Sequence, residues 1–240
     1  MTYILLIETS TRTCSVGLLH NEKLLAIRED DSKNYSHSKL LAVFIREVLQ
    51  EAGISPTDVS AVAVSRGPGS YTGLRIGVSA AKGFCFARDI PMIAVDTLKA
   101  LTNHAMQIYP PDKTEEEPHA QIIWCPMIDA RRMEVYYALF SQNLEEIRTT
   151  TAEVITEKTF EKELASYTMV FFGDGAEKCM SVFNNKNALF LKDVYPSVKG
   201  MVEEALTKFQ QRDFVDTAYF EPFYLKDFVA GKPKVKGLYS

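Results

Sequence analysis

Residues 59–65 read VSAVAVS, five apolar side chains with only Ser60 and Ser65 among them. A strand with one face in water alternates polar and apolar residues. A nearly continuous apolar run instead belongs to a strand covered on both faces, the situation of parallel strands in an α/β protein. The exit from that strand tightens the constraint. Residues 65–79, SRGPGSYTGLRIGVS, crowd four glycines and a proline into it and then open a helix.

The flanking elements parse around this unit. YILLIETS, CSVGLLH and EKLLAIRED read as three strands, with HNEK as a hairpin turn between the last two. In SHSKLLAVFIREVLQEAG, Leu40, Leu41, Phe44, Ile45, Val48 and Leu49 recur on one helical face; Ser36 or Ser38 can cap the start and Gly53 ends it. After the glycine loop and its helix, which runs to about Arg88, PMIAVD reads as a buried strand and TLKALTNHAMQI as a helix. The polar stretch YPPDKTEEEP then breaks the pattern.

Beyond it the order begins again. HAQIIWCPMID, RMEVYYALF and EEIRTTTAEVI read as strands, EKTFEKELAS as a helix, YTMVFFG as a strand and GAEKCMSVF as a helix. ALFLKDV is a further strand and SVKGMVEEALTKFQQ a further helix. The chain thus divides into a first subdomain at 1–108, a connector at 109–118 and a smaller second subdomain at 119–196. The C-terminal helix and tail, about 197–240, are expected to return to the first. Three antiparallel strands followed by alternating helices and strands suit the ribonuclease-H-like fold, here duplicated as in the actin/Hsp70-like ATPases.

Composition narrows the function. With 27 basic and 31 acidic residues the net charge is −4, so the chain lacks the basic excess with which proteins grip nucleic acid alone, and any such ligand is held mainly by a partner. Cys14, Cys85, Cys125 and Cys179 are far apart and form no CxxC pair, the pattern of buried thiols in a reducing compartment. His20, His37, His104 and His119 form no HxxxH or HExxH pair, so a zinc site has no visible ligand set. No leader opens the chain and no apolar run approaches membrane-spanning length; the expectation is a cytoplasmic protein.

Two turns carry candidate chemistry. IETSTRTCS places Glu8, Thr9 and Ser10 after the first strand. Such a turn either coordinates Mg²⁺ and phosphate oxygens or uses its hydroxyls on its own backbone. In RGPGSYTGLRIG, Gly67 and Gly69 permit positive φ, Pro68 fixes φ, and Ser70 or Thr72 can cap a helix whose first turn suits an anion. Yet neither a P-loop nor a dinucleotide GxGxxG is present, and Lys82 sits a turn or more inside the helix.

That helix is thinned by Gly73, Gly77, Ser79, Ala80, Ala81 and Gly83. Interior glycine costs a helix about 1 kcal/mol against alanine, so another element must approach closely: the chain's own sheet, or a helix of a second chain. In IDARRMEVYYALF, Asp129 with Arg131 and Arg132 reads as an interdomain salt bridge or an anion clamp, with Glu134 beside them, and FFGDGAEK as a plain strand-to-helix turn carrying Asp174.

Together, ILLIETSTRTCSVGLL, SHSKLLAVFIREVL, AVSRGPGSYTGLRIGVSAAKGFCFARDIPMIAVDTLKAL, MIDARRMEVYYALF and FFGDGAEK resemble the bacterial TsaB (YeaZ) family, with YFEPFYLKDF similar to its closing segment. The resemblance implies a duplicated ribonuclease-H-like fold. It also implies a role in forming threonylcarbamoyladenosine at position 37 of tRNAs that read codons beginning with A. In that pathway TsaD transfers the threonylcarbamoyl group from its AMP adduct, TsaB is TsaD's heterodimer partner, and the ATPase TsaE joins them.

TsaD relatives hold a metal through a histidine pair and use an SGGHT-like turn; here His37 has no second histidine beside it in sequence and the corresponding turn reads IDARR. Without those ligands no catalytic apparatus is evident, and the expectation is a noncatalytic scaffold subunit. Its partner surface is expected on the helices at 38–51 and 72–87, through Leu41, Phe44, Ile45, Val48, Leu74, Arg75, Gly77, Val78 and Ala81, with a homodimer through the same patch when alone. A shared or vestigial phosphate site at Glu8, Thr9, Ser10, Gly67, Gly69 and Ser70 would place ATP or ADP with Mg²⁺ at the boundary with partners. The competing readings are an independent ATPase or phosphotransferase using that site, and a metallopeptidase, against which the missing zinc ligands argue.

Overall fold

The computed structural model describes residues 1–31, 37–110 and 121–226. Ser36, His119 and most of the connector expected at 109–118 lie outside them. The first half contains β1 (Tyr3–Glu8), β2 (Cys14–His20) and β3 (Lys23–Asp30), then α1 (His37–Glu51), β4 (Ala61–Ser65), α2 (Tyr71–Arg88), β5 (Met92–Val95) and α3 (Thr97–Ile108). The second holds β6 (Ile122–Asp129), β7 (Glu134–Phe140), β8 (Glu146–Val154), α4 (Glu161–Ser166), β9 (Thr168–Phe172), β10 (Ala188–Phe190) and α5 (Val198–Gln211).

The two sheets are built alike. The first runs β3-β2-β1-β4-β5 and the second β8-β7-β6-β9-β10. In each, the first three strands are antiparallel and the last two join them in parallel. This is the duplicated ribonuclease-H-like architecture.

Each sheet buries both faces, and the residues alternate accordingly. On the first sheet, Leu5, Ile7, Val62 and Val64 face outward into a core closed by α1 and α2. Ile4, Leu6, Ala61 and Ala63 face inward against Val198, Met201 and Ala205 of α5. On the second, Cys125, Met127, Tyr137 and Phe171 pack outward under α4, while Trp124, Ala138, Phe140 and Phe172 meet Leu98, Leu101 and Ala105 of α3. The helix from the second half therefore covers the first sheet, and the helix from the first half covers the second. Between the sheets α3 and α5 cross closely: a methyl group on Gly200 would overlap the Ala100 carbonyl oxygen. Each fully buried aliphatic side chain contributes about 1.5–3 kcal/mol, so this exchange of helices welds the halves together.

Caps fix where the helices start. Ser70 accepts from the Gly73 N–H, Asp96 from those of Leu98 and Lys99, and Ser197 from that of Lys199. The Glu29 carboxylate on β3 anchors the start of α5, accepting from Ser15 Oγ at 2.9 Å and Lys199 Nζ at 2.6 Å.

Two elements differ from expectation. Of the helix expected across GAEKCMSVF, only a 3₁₀ turn at Glu177–Cys179 forms. Ahead of it Gly175 packs directly on the Ile128–Asp129 peptide, where a methyl group would come within 2.8 Å of the Ile128 carbonyl carbon. The fourth helix starts only at Glu161, because Phe160 takes a left-handed conformation (φ 66°) that sends its ring among Tyr137, Phe171 and Phe183.

Candidate functional site

The matched topology brings corresponding turns of the two halves face to face. The β1–β2 turn (9–13) and the loop before α2 (66–70) lie on one side. The β6–β7 turn (130–133) and the turn after β9 (173–176) lie on the other. Between them is a cleft of about 460 Å³ whose walls include Ser10, Ser70, Thr72, Asp129, Arg131 and Asp174. Ser10, Gly69 and Ser70, expected from sequence to sit together, do line it.

Much of the first wall is bonded within itself. Glu8 is fully buried and its carboxylate accepts from the Ser10 N–H at 2.6 Å. Burial pushes this carboxyl above the ordinary carboxylate range, an effect that hydrogen bonding from Ser10 partly offsets. Thr9 Oγ1 donates to the Gly73 carbonyl at 2.9 Å, and the Ser70 N–H donates to the Ser10 carbonyl at 2.6 Å. A methyl group on Gly69 would overlap that Ser10 carbonyl oxygen, one on Gly73 the Thr9 carbonyl oxygen, and one on Gly77 the Thr9 hydroxyl. Three glycines thus let the β1–β2 turn sink onto the loop and the first two turns of α2. Backbone fills the space that a phosphate would need between loop and turn, so these residues do not fit a nucleotide-phosphate cradle there. Of the buried Glu8 carboxylate, Oε1 is bonded inside the turn, while Oε2 and the neighbouring Ser10 Oγ have no hydrogen-bond partner among the described residues.

His37, the lone histidine of the first helix, is also structural. It is buried, and its Nε2–H donates to the Thr11 carbonyl at 2.7 Å, tying α1 to the same turn.

The second wall carries the charge. Asp174 accepts the Asp129 N–H at 3.1 Å. Burial lifts the Asp174 carboxyl to about 6, and the nearby Asp129 charge pushes the same way, while the Asp129 N–H, Arg12 and Lys178 oppose it. The ion pair that sequence suggested between Asp129 and an arginine is made by lysine instead: Lys178 pairs with Asp129 and also donates to the Glu134 carbonyl. Arg131 and Arg132 adopt left-handed backbone (φ 72° and 51°), which turns the chain between β6 and β7. The arginine that reaches across the halves is Arg12, whose guanidinium lies 4.5 Å from the centre of the Tyr195 ring.

The partner surface expected from sequence needs correction. Leu41, Val48, Leu74, Gly77, Val78 and Ala81 are buried in the chain's own core, and Phe44 and Ile45 are half-buried against it. The six buried side chains fill the core and cannot also present a surface; Phe44 and Ile45 keep part of theirs exposed. Of the nine, only Arg75 is exposed. The face of α2 that points away carries Thr72, Arg75, Ser79, Gly83 and Phe86, spaced three or four residues apart. Phe86 is 88% exposed, and a methyl group on Gly83 would meet nothing within 4 Å. Sequence periodicity missed Phe86 because it lies off the buried stripe; its one signal is a large aromatic on the polar side of that helix. The tail residues 223–226, which also line the cleft, and Arg12, which lines a neighbouring pocket beside Asp174 and Tyr195, announce themselves by no spacing.

Comparison with known proteins agrees with this architecture. The family model described as "TsaD: tRNA N6-adenosine threonylcarbamoyltransferase" matches residues 32–233. The Escherichia coli "tRNA threonylcarbamoyladenosine biosynthesis protein TsaB" is 30% identical over 95% of this chain and 96% of its own length. Its Haemophilus influenzae counterpart is 28% identical over 95% of both. The solved structure of YeaZ from Pseudomonas aeruginosa superimposes with a TM-score of 0.74 at 25% identity, covering 94% of this chain and all of that one. A tRNA N6-adenosine threonylcarbamoyltransferase of Streptococcus sanguinis is 37% identical, over only 45% of this chain and 37% of its own. Full-length likeness to the TsaB proteins, partial likeness to the transferase and a shared duplicated fold together make the chain a member of the TsaB (YeaZ) family, within the wider TsaD-type family.

Proposed function

We propose that this chain is a partner subunit of the machinery that adds the threonylcarbamoyl group to adenosine 37 of tRNAs reading codons that begin with A. It acts in the cytoplasm beside a catalytic TsaD homologue and the ATPase TsaE, and does no chemistry of its own. The observation that carries this reading is the pairing of end-to-end likeness to TsaB with the exposed small-residue stripe at Ser79, Gly83 and Phe86 on α2. A stripe thin at Gly83 and ending on an aromatic suits a second helix laid along it, with Phe86 as the anchor. In the absence of TsaD a second copy of the chain takes that place.

The nucleotide and magnesium of the assembled machinery belong, in this reading, to the boundary with the partners rather than to the Glu8–Ser10 turn. The support is the close packing of Gly69 and Gly73 on that turn's own carbonyls, where even a methyl group would overlap. Titrating Mg-ATP into the isolated chain is therefore expected to give no saturable heat; tight binding with turnover would favour the independent-ATPase reading instead.

The direct test is reconstitution of the tRNA modification with and without this protein, alongside co-purification with a TsaD homologue. Phe86→Glu and Gly83→Glu are expected to abolish pairing and modification without destabilising the fold by more than about 0.5 kcal/mol, as exposed substitutions do. Pairing that survives both would remove α2 from the interface.

A further inference from the structure

Beyond α5 the chain does not simply end. The Val215 N–H donates to the Met92 carbonyl at 3.0 Å, beside the edge strand β5. Phe220 packs on the outer core, and Lys82 Nζ donates to the Ala218 carbonyl at 3.0 Å, so the segment runs alongside α2. At the glycine loop the Phe223 N–H donates to the Arg66 carbonyl at 2.7 Å, with the Arg66 guanidinium 5.6 Å from the Phe223 ring centre. A methyl group on Gly67 would come within 2.9 Å of the Phe223 carbonyl oxygen, so this glycine is required by the tail as well as by its own φ of 108°. The Tyr224 ring packs at a tilt of 41° against that of Tyr71 of α2, centroids 5.1 Å apart, and Lys226 then pairs with Glu134 on β7, in the other half.

We propose that residues 223–226 are a latch that closes the cleft between the two halves. They attach to the loop and helix of the first half, cross the opening and end on the second. Phe223, Tyr224, Leu225 and Lys226 all line the cleft, together with Ser10, Asp129 and Asp174. The hold is a set of point contacts rather than a packed core: each of residues 221–226 keeps some exposure, and the ion pair is partly in water. Segments held this way open at low free energy without unfolding the rest. The latch thus sets access to the polar walls of a cavity large enough for a small molecule. It rests on intramolecular contacts and does not depend on the function proposed above.

Hydrogen exchange followed by mass spectrometry tests it on five chains: the full-length protein, chains ending at Pro222 and at Lys226, the Lys226→Glu variant, and Lys226→Glu combined with Glu134→Lys. The chain ending at Pro222 is expected to exchange about tenfold faster in peptides covering residues 66–73 and 128–135, with β1 and β9 unchanged. Lys226→Glu should show part of that acceleration, and the charge swap should reverse it. Unchanged exchange in the shortened chain, or acceleration spread evenly over both sheets, overturns the latch. So does a chain ending at Lys226 that opens as far as one ending at Pro222.

Discussion

Gly73, Gly77 and Gly83 lie on one helix, and their positions give them opposite roles. A side chain at Gly73 has no room against the Thr9 carbonyl, whereas at Gly83 it would project into open space. Gly73→Ala is therefore expected to destabilise by about 3 kcal/mol, and Gly83→Ala to stabilise by up to about 1 kcal/mol by removing an interior helical glycine. Urea unfolding of the two variants checks both signs. The same scale governs pH. Asp174 titrates near 6 in the fold against 3.8 for the free side chain, so the fold prefers its neutral form. Its contribution to stability is present below pH 4 and is lost as pH rises to about 6. Asp174→Asn keeps an oxygen for the Asp129 N–H and carries no charge. Its stability relative to the parent should rise across that interval and stay level above it, as read from unfolding midpoints at a series of pH values. Equal pH profiles for the two proteins would show that the carboxyl is solvated.

At the scale of elements, α2 has two working faces that sequence alone conflates. The spacing of small residues shows that something approaches this helix closely, but not what. Gly73 and Gly77 meet the chain's own β1–β2 turn, and Ser79, Gly83 and Phe86 remain outside. Gly77 reads as part of a partner surface only when all the small residues are taken as one set. Gly77→Glu would damage the fold before it could report on pairing, which is why Phe86 and Gly83 are the informative positions. The periodic elements were legible: α3 spans the twelve residues TLKALTNHAMQI, with Asp96 capping it as its side chain permits. The 3₁₀ turn at Glu177–Cys179 was not legible, because the segment before it packs through Gly175 on the Ile128–Asp129 peptide, distant in sequence.

For the whole molecule, the decisive feature is the exchange of α3 and α5 between the sheets. The inner face of the first sheet is covered by Val198, Met201 and Ala205, so residues 1–110 alone would leave Ile4, Leu6 and Val95 open to water. That fragment is expected to lack a cooperative transition. The intact chain should unfold once, with fluorescence of the single tryptophan, Trp124 on the second sheet, coinciding with circular dichroism. Two separated transitions would mean that the halves fold independently. Gly200→Ala, which drives a methyl into the Ala100 carbonyl, should lower stability by about 3 kcal/mol and shift both signals together. The order of strands and helices (apart from the helix read across GAEKCMSVF), the duplication and the family are determined by sequence alone, because hydrophobic period and turn chemistry act over a few residues and appear directly in the string. Tertiary structure decided which glycines are packed against the chain's own backbone, which face of α2 stays open, and how the tail and Asp174 converge on one cleft. Those are matters of distance between segments far apart in the chain, and no local period encodes them.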